Sequence, residues 1–164
     1  KTTLAAWLAA AFGATLSAEY ARQYVDDKGA TLDAGDVDAI ARGQIAWEDA
    51  ATRAAARVVV KDTDLLSTVV YSRHYYGHCP AWIAEAAMRR RGDLYLLLHP
   101  DVPWVPDGLQ RDRPADREHM HELFSQVLAD AGARVVDICG PWAARSVSAA
   151  AAVDVYLSNL SAPP

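Results

Sequence analysis

The run Arg57-Val58-Val59-Val60-Lys61-Asp62 constrains the chain most. Three consecutive valines do not alternate, so the run reads as a strand buried on both faces. Two further aliphatic runs repeat the pattern: residues 93–98, stopped by Pro100, and residues 134–138, ending at Cys139-Gly140. The segments between carry helical spacing. Residues 3–12 close at Gly13, a fitting C-terminal stop. A long helix is expected over about 35–56, with Val37, Ile40, Ala41, Gln44, Ile45 and Trp47 along it. Residues 64–75 and 80–90 read as two helices broken at Gly77-His78-Cys79-Pro80. Residues 114–131 start with a proline in the first turn, and residues 142–160 close the chain. A short strand over 14–18, a helix over 20–26 and a cap at Asp33 or Asp36 complete the reading. Strands that alternate with helices imply an α/β fold, a parallel sheet with helices on both faces in three layers. The 164 residues suit one domain with a real core.

Composition removes several function classes. A hydrophobic content of 52% argues against disorder. A net charge of −5 argues against a general nucleic-acid binder, which needs a basic face, but leaves room for a small phosphorylated ligand. No apolar run approaches the roughly 18 residues of a membrane span. Cys79 and Cys139 are few and far apart, which fits free thiols in a reducing cytoplasm. No CxxC or HExxH pattern is present to suggest zinc. His74, His78 and Cys79 read as a solvated turn, and His119 and His121, two apart on a helix, face different ways. Trp7, Trp82 and Trp142 read as core or partner-helix packing.

Ligands of open parallel sheets bind at the carboxyl ends of the strands. Lys1, Glu19, Asp62, Asp101 and Gly140 all fall at such ends or just beyond. Lys1-Thr2-Thr3 followed by an apolar helix has the form of the end of a G-x-x-x-x-G-K-[ST] loop, whose lysine meets the β/γ-phosphates and whose hydroxyl ligates Mg²⁺. The chain begins at the lysine, so the loop's glycines and the strand before them are expected to lie outside it. A β-branched run ending in an acid, here Asp62, is the usual source of the second magnesium-side carboxylate.

Several blocks then follow in order: Lys1-Thr2-Thr3-Leu4, Glu19-Tyr20-Ala21-Arg22, Ala39-Ile40-Ala41-Arg42-Gly43-Gln44, Asp62-Thr63-Asp64, and Pro100-Asp101-Val102-Pro103-Trp104-Val105-Pro106-Asp107-Gly108. Together they resemble the nicotinamide riboside kinase domain of bacterial NadR-type proteins, a P-loop kinase family. The resemblance implies a three-layer P-loop kinase fold whose first strand and Gly-rich loop are missing here. It implies transfer of the γ-phosphoryl group of ATP to the 5′-hydroxyl of nicotinamide riboside, giving nicotinamide mononucleotide, with ATP and Mg²⁺ as cofactors. The expected partner is a nucleoside-like small molecule, with no nucleic acid bound by this domain, no membrane, and further domains possible on the full-length chain. Two alternatives remain open: a kinase for another nucleoside-like acceptor, and a module that senses ATP or a pyridine nucleotide without turnover.

Site roles follow from the same blocks. Lys1 neutralises the β/γ-phosphates, Thr2 and Asp62 serve the metal, and Thr3 lies beside them on the nucleotide side. Thr2 has the alternative of a helix N-cap, and Asp64 is read chiefly as the cap of the following helix. Glu19 accepts the acceptor hydroxyl's proton or holds the ribose, unless it only pairs with Arg22. Arg111, Arg113 and Arg117 suit phosphate oxygens as a lid, or form an ordinary solvated helix start. Arg145 sits near the adenine or faces solvent. Trp104 stacks on the cationic nicotinamide ring, with Tyr20 and Trp47 as an opposing wall unless Trp47 is helix core packing, and Asp107 reaches the ribose or forms a turn pair with Gly108. Arg22 and Gln44, inside the resembling blocks, are placed on the substrate side.

Overall fold

The computed structural model describes residues 1–103 and 116–161. It divides into two compact units, Lys1–Arg91 and a second that starts at Gly92. Each unit has its own pair of parallel strands.

The first unit opens with helix α1 (Thr2–Ala11), which buries Leu4, Ala5, Leu8 and Ala9 along one stripe. The helix closes as the sequence requires. The Gly13 amide donates to Ala10 and the Ala14 amide to Ala9, at 3.4 and 2.8 Å. That is the paired bonding of a Schellman stop, and it needs the left-handed φ of +57° that Gly13 adopts. The chain is thereby turned straight into β1 (Thr15–Ser17). Helix α2 (Tyr20–Lys28) follows. A 3₁₀ turn, Ala34–Asp36, leads into α3 (Val37–Ala54). Asp33 and Asp36 both cap here, as a reciprocal box in which each carboxylate accepts from a backbone amide of the turn.

Strand β2 (Val59–Lys61) pairs in parallel with β1, with Ser17 opposite Lys61. Helices α1 and α3 both pack on this strand pair. Helix α4 (Leu65–Tyr76) starts at Asp64, whose carboxylate accepts from the amides of Leu66 and Ser67, and ends at a left-handed Gly77. Helix α5 (Ala81–Arg89) packs on α4, and Leu65, Val69, Val70 and Ile83 fill the core between elements.

In the second unit β3 (Tyr95–Leu98) and β4 (Val135–Ile138) run parallel, with Leu97 opposite Asp137. Helix α6 (Arg117–Asp130) packs on β3 and α7 (Trp142–Ser161) packs on β4. Ile138, Leu128, Ala131 and Ala149 are its buried residues of greatest weight.

The alternation of strands and helices is therefore present, with parallel pairing, but two expectations need correction. The valine run contributes a half-buried three-residue strand, not one buried on both faces. Trp7 and Trp142 are 38% and 47% exposed, so neither is a core residue; each lies on the outer side of its helix. Cys79 and Cys139 are free thiols. Among the described residues no helix is long and apolar enough to cross a membrane.

Candidate functional site

The parallel register of β1 and β2 decides where the polar residues of the first unit meet. Ser17 and Lys61 are the last paired residues, and the Asp62 amide extends the ladder by donating to the Ser17 carbonyl at 2.9 Å. Glu19 and Asp62 consequently leave the strand pair at the same end. Helix α1 packs on both strands, and its N-cap residue, Lys1, reaches that end.

The Lys1 ammonium donates to Asp62 Oδ1 at 3.0 Å, to the Asp62 carbonyl at 2.7 Å and to Glu19 Oε2 at 2.9 Å. The Asp62 side chain is almost fully buried, Glu19 is largely covered and Lys1 is 41% exposed. One cation thus faces two carboxylates at the mouth of a helix whose first amides have no side-chain cap. Such an end attracts anions. Ser17 Oγ is buried and has no hydrogen-bond partner among the described residues. Thr2 and Thr3, the first residues of α1, are exposed. The N-cap alternative for Thr2 is corrected, since Lys1 holds that position.

Two residues position this cluster without being charged. Gln44 is buried on α3. Its Oε1 accepts from the Tyr20 amide at 2.9 Å and its Nε2 donates to the Thr63 carbonyl at 3.2 Å and the Ala18 carbonyl at 3.5 Å. An amide partner on one side and carbonyls on the other fix which end of the side chain is oxygen. Gln44 therefore clips the segment after β1 to the segment after β2, where Glu19 and Asp62 sit. Both ends of its side-chain amide are engaged with backbone.

Gly43, one residue earlier, lies under Tyr20. A Cβ there would come within 2.0 Å of the Tyr20 ring. Tyr20 in turn packs edge-on against Trp47, with ring centroids 5.1 Å apart. The two rings form an aromatic corner. Arg22 lies half-buried in the first turn of α2. Trp104, Asp107, Arg111 and Arg113 lie outside the described residues.

Behind Asp62, Lys61 projects the other way and donates to Glu48 Oε2 at 2.9 Å and to the Arg90 carbonyl at 3.2 Å. Glu48 is 1% exposed. Its burial pushes the carboxyl above the usual carboxylate range, against the pull of Lys61 and Arg90. Sequence reasoning missed both Gln44 as a clip and Glu48 as a buried acid. The signal was there: both continue the apolar stripe of α3 at four-residue steps from Ile40.

The second unit gathers Asp101, Gly140 and Arg145. Asp101 accepts from the Gly140 amide at 2.6 Å and pairs with Arg145. The Gly140 amide, and then the Arg145 charge, hold the Asp101 carboxyl below its ordinary range in spite of partial desolvation. Arg145 is buried rather than solvent-facing, and also donates to the carbonyls of Gly140 and His99 at 2.6 and 2.7 Å. Its fork ties the ends of β3 and β4 to α7. Arg117 is half-buried at the start of α6. Trp82 stays on a helix surface, donating to Asp38 at 2.9 Å with Arg42 over its ring, so it packs against a partner helix as expected.

The chain is 32% identical over 135 residues to the "Trifunctional NAD biosynthesis/regulator protein NadR" of Escherichia coli (strain K12), covering 79% of this chain and 33% of that protein. It is 33% identical over 136 residues to the protein of the same name from Salmonella typhimurium (strain LT2), with the same shares. The chain thus spans about a third of the length of these curated relatives. Residues 1–145 match the family described as "AAA domain", a stretch that takes in the Lys1–Asp62–Glu19 cluster and the Asp101–Arg145 tie. A match over that much of the sequence settles the family: the chain belongs to the AAA-domain family and resembles NadR-type proteins along most of its length.

Proposed function

We propose that this chain is an ATP-dependent kinase that phosphorylates the 5′-hydroxyl of nicotinamide riboside. The observation that carries the reading is Lys1, held by Asp62 and Glu19 at the strand ends beside the open N-terminus of α1. The relatives' shared name, which speaks of NAD biosynthesis, supports the acceptor. The family match reaches from the first unit into the second, which supports treating residues 1–164 as one three-layer kinase domain.

The roles follow from charge and reach. Lys1 exchanges its carboxylate partners for the β/γ-phosphate oxygens of ATP, and the α1 amides add further donors. The donor set fits Mg²⁺, because the Thr2 hydroxyl and the Asp62 carboxylate are hard oxygens of the kind that ion takes. Bound Mg²⁺ would offset phosphate charge. Released from Lys1, Glu19 accepts the proton of the acceptor hydroxyl. Tyr20 and Trp47 offer aromatic faces to the nicotinamide ring, with Trp104, Asp107 and Arg22 on the acceptor side. Thr3, Arg111, Arg113 and Arg117 serve the phosphates, and Arg145 shapes the adenine side through Asp101.

The test is formation of nicotinamide mononucleotide from nicotinamide riboside and ATP by the full-length protein. Lys1→Ala is expected to lower kcat on the order of 10²–10³-fold, the usual cost of one electrostatic donor. Glu19→Gln is expected to lower kcat while leaving ATP binding in place. Unchanged turnover in both variants would overturn the reading. Equal turnover of a nucleoside with a neutral base would move the acceptor assignment to the broader nucleoside class.

A further inference from the structure

We propose that His99, His121 and Asp137 form a binding site for a divalent transition-metal ion, Zn²⁺ first, separate in chemistry from the magnesium of phosphoryl transfer. The site is built by the second unit alone. Leu97 stands opposite Asp137 in the β3–β4 ladder, and His99 follows Leu97 by two residues. The His99 amide continues the ladder by donating to the Ile138 carbonyl at 2.9 Å. Alternation then puts His99 and Asp137 on one face of the pair as diagonal neighbours. Helix α6 packs on β3 and brings His121 to the same face.

The distances suit a shared ion. His99 Nε2 and Asp137 Oδ1 are 3.1 Å apart. That is close to the about 3.3 Å edge of a tetrahedron with metal–ligand bonds of about 2.0–2.1 Å. The His99 and His121 ring centroids are 4.4 Å apart, and the three ligand atoms lie within 4.8 Å of one another. His121 supplies the second observation. Its Nε2 is buried and has no hydrogen-bond partner among the described residues. A buried imidazole nitrogen left unsatisfied carries a desolvation cost that a metal ion would remove. His119, two residues away, instead approaches Glu122 at 4.0 Å and takes no part.

Two imidazoles and one carboxylate are the donor set of zinc and its neighbours in the transition series, whereas Mg²⁺ prefers an all-oxygen shell. Asp137 is 64% exposed, which leaves a fourth position for solvent. An ion there would fasten α6 to the carboxyl ends of β3 and β4.

The test is titration of Zn²⁺, and of Co²⁺ as a coloured probe, into chelator-treated protein without ATP or Mg²⁺. The expected result is saturable uptake of one ion per chain, a cobalt ligand-field absorption that Zn²⁺ displaces, and a raised melting temperature with Zn²⁺. His121→Ala and Asp137→Asn should each weaken binding by at least the roughly 10–100-fold that loss of a mere second-shell partner costs. His119→Ala should leave it unchanged. Asp137→Asn, at an exposed position, carries the comparison if His121→Ala does not fold. Uptake that is equal in the wild type, His121→Ala and Asp137→Asn, or absent in all, overturns the proposal. So does a loss with His119→Ala as large as with His121→Ala, which would mean adventitious binding by surface histidines.

Discussion

Replacing Gln44 by leucine isolates the clip between the two strand ends. Leucine keeps most of the volume and the helix propensity, so the loss is almost wholly that of hydrogen bonds. Two bonds of good length disappear, from the Tyr20 amide at 2.9 Å and to the Thr63 carbonyl at 3.2 Å. The contact to Ala18 at 3.5 Å is too long to add much. At about 0.5–1.5 kcal/mol net for each bond, the variant should lose about 1–3 kcal/mol. Urea unfolding followed by circular dichroism reads this as a lower midpoint at unchanged slope. Gln44→Glu keeps an acceptor for Tyr20 but buries a carboxylate against the Thr63 and Ala18 carbonyls, so at neutral pH it should be less stable than the leucine variant. A leucine variant as stable as wild type would refute the reasoning. So would a glutamate variant as stable as wild type at neutral pH.

Three further outcomes are expected. Gly43→Ala should destabilise the protein by about 1–3 kcal/mol, as overpacking does, although alanine is ordinarily the better helix residue by about 1 kcal/mol. Tyr20→Ala should remove that penalty in a double-mutant cycle, since the clash is with the Tyr20 ring. Asp64→Ala should cost about 0.5–2 kcal/mol in thermal or urea unfolding, through the lost cap on the Leu66 and Ser67 amides. Glu48 makes a pH prediction. Burial raises its folded pKa above the unfolded value, so the folded state holds that proton more tightly. The resulting stability is complete below the ordinary carboxylate range and is lost as pH rises through the raised value. Glu48→Gln should lack this fall in a denaturation series over the same pH range.

Much of the first unit was legible because its signals are local or follow from strand direction. Gly13 and Asp64 end and begin helices by chemistry that a few neighbouring residues settle. The meeting of Glu19 with Asp62 at one end follows from parallel pairing, which carries everything after a strand to the same end. The tryptophans were harder. Trp7 and Trp142 lie on helices of mostly small residues, where periodicity gives little indication of the buried side, and both emerged on the outer side. Gln44 stood out by its block and by its place on the α3 stripe, but its role as a clip depends on backbone partners 19 to 26 residues away. His99, His121 and Asp137 carry no sequence motif at all. Their proximity depends on ladder register and on the side of β3 that α6 covers, and neither can be read from spacing.

The junction between β2 and α4 is three residues long, and each answers to a different part of the unit. The Asp62 carboxylate meets Lys1, the Thr63 carbonyl meets Gln44, and the Asp64 carboxylate meets the opening amides of α4. Such a segment can tolerate a change of side chain at one place and keep its other two obligations. It cannot absorb a change of length. One residue more or fewer would turn the sequence by half a pleat and leave at least one of the three correspondents unanswered. Natural variation at this joint should therefore arrive as replacement, with indels pushed into the turn that follows Gly77.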